Sequence, residues 1–420
     1  MKFARASAAI AAAAIVVSAC GGSSSTAAPG GSAAAGGTNV KVGIELPMTG
    51  GEAPNGVPTA NGVALAIDQI KVPGFNVTIN QQDDAVNGKH NADQGAKNMS
   101  TLANDAAVIG VVGPYNSSVS QAEIPVSNAA GLMQCSPANT SVSLTKGDSA
   151  VKLRATNPDK IAYVRTATTD DNQGAGTADI AYNIIGAKTA YVMDDTQTYG
   201  KGLAQGFTDA YTKFGGKVVA TDGVPDTTTD FTSYVTKAKG LNPEVIMYGG
   251  VTTSGLGLFR KQMAQQGLNI PIVGGDGIVD GSAATASSFL NIAGDGATNS
   301  YGTVAAIHDI PNPDKFAADY KAKFSTEPGS YSAPGYACTQ IYLAALAAVG
   351  AGVTDPAQLR EKVRAYVADP KNSFDTVLGK VSFDANGDTT QHTISYYQFD
   401  PTTKDWKFLK QRDFTADPVK

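Results

Sequence analysis

The chain has 420 residues, a formal net charge of −5 and only 16% charged residues, so its composition offers no basic surface for nucleic acid. Its hydrophobic content of 42% is enough for a buried core, and the roughly 380 residues beyond the N-terminal segment are too many for one ordinary domain. We therefore expect two globular lobes and no nucleic-acid partner.

The N-terminal segment predicts export and lipid attachment. Two basic residues precede an apolar run, residues 8–17, that is too short for a stable membrane-spanning helix. The run ends in VSAC, which resembles the bacterial lipobox, where the cysteine is acylated after cleavage. We expect residues 1–19 to be a signal peptide and Cys20 to carry the lipid outside the membrane; an uncleaved membrane anchor is the alternative. Residues 20–38 are uncharged and rich in Gly, Ser and Ala, which predicts a flexible linker.

Apolar, β-rich segments then alternate with helical patterns. The predicted strands are VKVGIEL, NVTIN, AVIGVVG and LMQC in a first series, and TAYVMDD, KVVATDG, EVIMYGG and IPIVGGD in a second. Between them, apolar residues recur at helical spacing, as in Val63, Ala66, Ile67 and Ile70. Such alternation predicts parallel sheets covered by helices on both faces, and the two series predict two such lobes.

Small polar residues crowd the loops after these strands. In open α/β sheets, ligands bind outside the carboxyl ends of the strands. The loops concerned are GPYNSS (113–118), SPANTS (136–141), DDTQTYGKG (194–202), GGVTTSG (249–255) and GGDGIVD (274–280). Their short hydrogen-bonding side chains, on backbone that a ligand can approach closely, predict a site for a small polar solute.

Signals of catalysis are missing from the sequence. It contains no G-x-S-x-G elbow, Walker A sequence, HExxH or complete G-x-G-x-x-G, and none of its three histidines stands in a recognisable general-base context. Cys135 has no adjacent histidine, and the glycine of DANGD (384–388) is misplaced for a calcium loop, so that segment is better interpreted as a turn between strands. We expect a binding protein without metal or cofactor.

In these segments the chain resembles the leucine/isoleucine/valine-binding family of periplasmic solute-binding proteins, which serve ABC importers. The resemblance covers residues 40–400 and is carried, in order, by GIELPMTGGEAPNG, VVGPYNSSVSQAEIPV, SPANTSVSLT, VRTATTDDNQG, YGKGLAQGF, IVGGDG and GYACTQIYLAALAAVG. It implies a type I fold, in which two doubly wound parallel-sheet lobes, joined by a three-crossover hinge, close over a solute. The lobes it implies are residues 39–166 with 307–380, and residues 167–306 with 381–420.

The resemblance also implies a ligand set. The first lobe would contribute Ser117, the backbone of Ala138, and Thr140; the second would contribute Tyr199 and Asp276. Hydroxyl and N–H donors suit a carboxylate, and an acid suits an ammonium group. Further candidates in the same loops are Tyr115, Asn116, Asn139, Val251 and Thr252. Purely structural roles are the alternative: helix caps for Ser117 and Thr140, packing for Tyr199, and a turn for Asp276.

Two departures from the family pattern bear on the solute. Val251 and Thr252 follow YGG, where amino acid-binding members often carry an aromatic residue, and Asp276 is one methylene shorter than the usual glutamate. Both changes predict a pocket that is roomier or more polar near the second lobe. An α-amino acid or similar small zwitterion remains the expected solute, although not specifically a branched-chain one.

With Cys20 acylated, Cys135 and Cys338 remain as an even pair in an oxidising compartment. The resemblance assigns both to the first lobe. We expect a disulfide between them, with two separate buried thiols as the alternative.

We therefore expect a monomeric, membrane-anchored lipoprotein that delivers an amino acid to the permease subunits of an ABC importer. A sensory lipoprotein that signals through a membrane partner would share the same fold and pocket. A binder of small amides or carboxylates is a further alternative, and an enzyme is disfavoured by the missing nucleophile–base pair.

Replacing Cys20 by Ala tests the lipid anchor. The variant should accumulate as uncleaved precursor or be released as soluble protein, because the acylated side chain is lost. Membrane fractionation and intact mass measure this, and unchanged fractionation with a normal mature mass would refute the lipobox interpretation.

Overall fold

The computed structural model describes residues 37–416, in which two large sheets form the centres of two α/β lobes. The signal peptide, the expected acylation site Cys20 and most of the predicted linker lie outside the described residues. Thr38 was expected to end the linker, but it begins the first strand. Its backbone N–H donates to the Gly74 carbonyl at 2.8 Å, which brings it into the sheet.

The helices and strands follow the predicted alternation. The first-lobe elements are β1 (Thr38–Leu46), α1 (Ala53–Gln69), β2 (Phe75–Asp83), β3 (Ala85–Val86), β4 (Lys89–His90), α2 (Ala92–Asn104), β5 (Val108–Val112), α3 (Ser117–Ala130), β6 (Gln134–Ser136), α4 (Gly147–Leu153) and β7 (Tyr163–Arg165). The second-lobe elements that follow are α5 (Asp170–Asp179), β8 (Thr189–Asp194), α6 (Thr198–Lys213), β9 (Lys217–Gly223), α7 (Thr232–Leu241), β10 (Val245–Gly249), α8 (Leu256–Gln265), β11 (Ile272–Gly274), α9 (Phe289–Ala293) and β12 (Ser300–Val304). The chain then returns to the first lobe as α10 (Pro313–Phe324), α11 (Ser332–Val349), α12 (Pro356–Ala368), β13 (Ser373–Thr376) and β14 (Gly379–Ser382), and ends in the second lobe as β15 (Thr393–Asp400) and β16 (Asp405–Asp413).

The first sheet is wholly parallel, in the order β2-β1-β5-β6-β7. Every residue of β5, Val-Ile-Gly-Val-Val, is buried, because helices cover both faces of the sheet and a strand between them needs apolar side chains on each side. Helices α1 and α11 pack against each other, and Ser332 donates to the Pro58 carbonyl at 2.8 Å between them. This joins the returning segment to the first lobe.

The second sheet has the order β16-β15-β12-β11-β10-β8-β9. Strands β8 to β12 are parallel, whereas β15 and β16 are antiparallel to their neighbours. The four residues between β15 and β16 allow only an antiparallel hairpin, because a parallel connection needs a long crossover. The sheet is therefore mixed at one edge.

The chain passes between the lobes three times, in residues 166–169, 305–312 and 383–392. This confirms the predicted two-lobe α/β fold with a three-crossover hinge. The expected boundary between residues 380 and 381 falls inside β14, where Val381 pairs with Phe374 of β13. We therefore propose that the first lobe extends to residue 382.

A disulfide joins Cys135, in β6, to Cys338, in α11. Both residues are fully buried, and their Cα atoms lie 5.7 Å apart. Because the second-lobe elements α5 to β12 lie between β6 and α11 in sequence, the bond ties together the two separate chain segments of the first lobe.

We predict that the folded protein has no free thiol at Cys135 or Cys338. A Cys20→Ala variant, unfolded without reductant, should give no thiol in an Ellman titration and two thiols after reduction. Reduction should lower the free energy of unfolding by up to about 5 kcal/mol in the chain-entropy model, because the bond closes a very long loop. Alkylation of both cysteines without reductant would contradict the prediction.

Candidate functional site

Two loops of the first lobe lie side by side at the carboxyl ends of β5 and β6. Ser136 donates to the Pro114 carbonyl at 2.7 Å, and the Asn139 side-chain amide donates to the Tyr115 carbonyl at 2.6 Å. The amide oxygen of Asn139 accepts from the Tyr163 hydroxyl at 2.9 Å. The side chain of Asn139 therefore holds the loops in register, and its own groups are occupied by the protein.

Three of the predicted ligand residues occupy these loops, and all are buried: Ser117, Ala138 and Thr140. Ser117 is the first residue of the 14-residue helix α3, where unpaired N–H groups and the helix dipole favour an anion. The Thr140 carbonyl accepts from the backbone N–H of Asp170 at 2.7 Å. This bond links the loop to the start of α5 in the second lobe.

Asp276 is the centre of the second-lobe part of the site. Its Oδ1 accepts from the Tyr199 hydroxyl at 2.8 Å and from the Gln173 side-chain amide at 2.5 Å. Burial raises the pKa of the Asp276 carboxyl, and these two hydrogen bonds oppose the rise. The acid is thus oriented by two elements, α5 and α6, before any solute binds.

The loop after β10 supports Asp276 from one side. Thr252 donates to the Gly277 carbonyl at 3.1 Å, and a Cβ at Gly277 would lie only 2.2 Å from the Gly250 carbonyl oxygen. The two loops are therefore in direct contact. Val251 and Thr252 are buried beside Asp276.

Two first-lobe tyrosines face Asp276 from across the cleft. The rings of Tyr115 and Tyr331 pack edge to face, with centroids 5.4 Å apart. Burial raises the pKa of both hydroxyls well above the usual value, and the charge of Asp276 adds to the rise. The candidate residues of the two lobes therefore converge on one region.

Several buried polar atoms in this region have no hydrogen-bond partner among residues 37–416. They are the side-chain oxygens of Gln173 and Asn116 and the hydroxyl of Tyr115. An unpaired buried polar atom is costly, and most such atoms in folded proteins are paired. Their concentration at the predicted site indicates that this region receives a polar solute.

The lobes are closed around these residues. On one side Thr253 donates to Glu52 at 2.7 Å, and on the other Thr198 donates to Gln121 at 2.8 Å. Open crevices of about 490 Å³ and 650 Å³, each lined by both lobes, flank the buried region. Closure of this kind excludes water from a solute held between the lobes.

Four further residues lie in this region, and no sequence motif marks them as binding residues: Glu52, Asp170, Gln173 and Tyr331. Asp170 and Gln173 belong to the segment TTDDNQG, in which nothing indicates a position in the cleft. Tyr331 and Glu52 lie far apart in sequence, and only folding brings them together. Within residues 37–416 no group of three or more His, Cys, Asp or Glu side chains is arranged to hold a metal ion.

A family model described as periplasmic binding protein matches residues 39–405. The chain belongs to the periplasmic binding protein family. It is a solute-binding protein of the Leu/Ile/Val-binding type, acts outside the cytoplasm and is not an enzyme. No helix within residues 37–416 is long and apolar enough to cross a membrane.

A curated relative supports this assignment, and solved structures share the fold. Leu/Ile/Val-binding protein homolog 2 of Brucella abortus is 31% identical over 358 residues, which are 83% of this chain and 87% of that protein. A branched-chain amino acid transporter substrate-binding protein from Streptococcus pneumoniae, solved with isoleucine, is 24% identical with a TM-score of 0.73 and covers 89% of this chain and 99% of its own. A solute-binding protein of an ABC transporter from R. palustris, solved with 4-hydroxybenzoate, is 20% identical with a TM-score of 0.73, covering 89% and 97%. The two solved structures support the fold alone.

Asp170 gives this binding protein a testable dependence on pH. Burial raises the pKa of its carboxyl to about 8; the hydrogen bond from Thr140 and the charge of Arg165 oppose the rise, and the charge of Asp276 adds to it. The folded-state value lies above the ordinary value of 3.8. Folding therefore favours the protonated form, and the stability of the solute-free protein should fall as the pH rises between these values.

We predict that Asp170→Asn removes most of the loss of stability with rising pH, because an amide cannot ionise. The melting temperatures of variant and wild type should converge near pH 4, and the variant should melt higher at pH 8; differential scanning calorimetry without solute measures both. Asp171→Asn, at the exposed neighbour, is the control and should follow the wild type. Parallel curves for Asp170→Asn and wild type would show that Asp170 is not the titrating group.

Proposed function

We propose that this protein captures a small α-amino acid, or a similar zwitterion, between its lobes and delivers it to an ABC importer. The observation that carries the proposal is the pairing of two unlike surfaces across the cleft. Donor groups of the first lobe face a second-lobe surface that holds two buried carboxyls, Asp170 and Asp276.

The first lobe suits a carboxylate. The hydroxyls of Ser117 and Thr140 and the backbone N–H of Ala138 are donors without full positive charge, and Ser117 lies at the N-terminus of α3. Such donors bind an anion strongly when water is excluded. We assign the carboxylate of the solute to this group of three residues.

The second lobe suits an ammonium group. Gln173 and Tyr199 donate to Oδ1 of Asp276, and Tyr331 also hydrogen-bonds this carboxyl; we assign its remaining acceptor capacity to the solute. Asp170 is buried, its carboxyl accepts a hydrogen bond from the Thr140 hydroxyl, and its pKa is raised partly by Asp276. A cation between these two acids would relieve their mutual repulsion and the penalty of their burial. Asn139, by contrast, we assign to holding the loops.

Transport is the role that we infer from the family. The lipid on Cys20 would hold the protein at the membrane, the linker would let the lobes reach the permease subunits, and a monomer would suffice for delivery. A sensory role would use the same cleft. Identifying the membrane partner, rather than the solute, would distinguish the sensory role from transport.

A small carboxylate without an ammonium group is the second candidate. The edge-to-face pair of Tyr115 and Tyr331 offers aromatic surface and two hydroxyls, and the R. palustris structure holds 4-hydroxybenzoate. The two buried acids favour the amino acid, because an anion beside them would be repelled.

A thermal-shift screen of amino acids, small amides and carboxylates identifies the solute first, since a compound that binds only the folded state raises its melting temperature. We predict that Thr140→Ala then weakens every solute that has a carboxylate. The expected loss is about 1.5–3 kcal/mol, or roughly ten- to a hundredfold in affinity by calorimetric titration.

Asp276→Asn should behave differently. It should weaken an amino acid by a similar factor and spare the matching deaminated acid, because it removes a charge and keeps the shape. Asp295→Asn, at an exposed second-lobe position, is the matched control and should leave both affinities unchanged. If Asp276→Asn weakens both solutes equally, or neither, the amino acid assignment is wrong.

A further inference from the structure

Glu52 is a buried carboxylate that joins three separate segments of the protein. It ends the short helical turn Gly50–Glu52 just before α1. Its Oε1 lies 2.7 Å from His90 Nδ1 and accepts from the Thr253 hydroxyl at 2.7 Å, and its Oε2 accepts from the Asn116 side-chain amide at 2.9 Å. Glu52, His90 and Asn116 belong to the first lobe and Thr253 to the second, so one carboxylate bridges the cleft.

The protein keeps this carboxylate charged in spite of its burial. Burial alone would raise the pKa of Glu52, but the charge and hydrogen bond of His90, with the bonds from Thr253 and Asn116, lower it to about 2. Burial would lower the pKa of His90, but Glu52 and then Asp195 and Asp226 raise it. The second-lobe hydroxyl therefore donates to an ionised acceptor, which makes a stronger bond than a neutral one.

A hairpin of the first lobe presents His90 to the second lobe. Strands β3 and β4 are joined by Asn87 and Gly88, which both have positive φ, at 52° and 82°, as a tight type I′ turn requires. Lys89, beside His90, donates across the cleft to the Asp226 carbonyl at 2.8 Å. The hairpin thus directs two basic side chains at two acidic loops, those carrying Asp195 and Asp226.

The lobes approach each other very closely at this point. A Cβ at Gly51 would lie 2.6 Å from Thr253 Cγ2 and 3.9 Å from Thr253 Cβ. Only glycine leaves room for Thr253 to reach Glu52. The contact is therefore sterically matched as well as hydrogen-bonded.

We infer that Glu52, His90 and Thr253 form a closure latch, in which Thr253 meets the Glu52–His90 ion pair only when the lobes close. The latch holds the closed complex whatever side chain the solute carries. Through Asn116, which precedes Ser117 at the start of α3, it also positions the predicted carboxylate site. This inference rests on the proposed capture of a solute between the lobes, but not on the identity of that solute.

A cysteine pair tests the close approach without any solute. The Cβ separation of 3.9 Å between positions 51 and 253 suits a disulfide. Gly51→Cys/Thr253→Cys should therefore cross-link under mild oxidation even if the closed state is only a minor population, because the bond traps it. Mass spectrometry of peptides identifies the bond, and the two single-cysteine variants are the controls. Failure of the pair to cross-link would overturn the latch.

Three substitutions test the bond itself, with a mixture of the twenty common L-amino acids as the probe. Thr253→Val keeps the shape of the side chain and removes the hydroxyl donor. The mixture should therefore raise the melting temperature less, by the amount that an approximately tenfold loss of affinity gives. Thr253→Ser restores the hydroxyl and should recover most of the response. Thr198→Val removes a different cross-cleft bond, to the neutral and exposed Gln121, and should have a smaller effect.

The outcomes separate the latch from the proposed function. If Thr253→Val is no worse than Thr198→Val, or Thr253→Ser does not rescue, the ionised Glu52 is not the latch. If the mixture leaves the wild type unchanged, the amino acid assignment fails, and the cysteine pair alone decides the latch.

Discussion

The two lobes depend on one buried charge, the guanidinium of Arg165. It is fully buried at the end of β7, where the first crossover begins, and its Nε and Nη2 lie 2.8 Å and 2.7 Å from Oδ1 of Asp388 in the third crossover. This buried ion pair thus joins the first crossover to the third. Removing Asp388 would leave the buried charge of Arg165 unpaired, which is one of the costliest changes a folded protein can undergo.

The same guanidinium fixes the ligand loop. Its Nη1 donates to the Ser141 carbonyl at 2.7 Å and its Nη2 to the Thr145 hydroxyl at 2.6 Å, so the backbone after Thr140 is tied to the hinge. At the other end of the first crossover, the backbone N–H of Asp170 donates to the Thr140 carbonyl. The loop that we assign to the solute carboxylate is therefore hydrogen-bonded to both ends of the first crossover.

The buried acids of the cleft differ in how their negative charge is balanced. Asp170 and Asp276 are buried acids whose raised pKa values record an unfavourable environment for negative charge, as expected where a solute supplies the counter-charge. Glu52 is equally buried, but His90 and three hydrogen bonds keep its pKa low, so its charge is already balanced by the protein. Asp170 and Asp276 therefore suit solute binding, whereas Glu52 with His90 suits holding the lobes together.

The sequence by itself determined the alternation of strands and helices, the division into two lobes and the loops that meet at the cleft. It did so because the apolar periodicity of a buried parallel sheet is local, and because the carboxyl ends of parallel strands share one edge. The loops that carry Ser117 and Thr140 were therefore predictable as neighbours, and so were those that carry Tyr199 and Asp276, whereas only the family resemblance implied that the two pairs meet across the cleft. Even the β3–β4 hairpin has a local signal, Asn87-Gly88. Other contacts depend on the tertiary structure alone. The side chain of Asn139 hydrogen-bonds the Tyr115 carbonyl and the Tyr163 hydroxyl, Tyr331 faces Asp276, and Thr253 donates to Glu52. Those contacts join residues up to about two hundred positions apart across crossovers, and no local pattern encodes which donor reaches which acceptor.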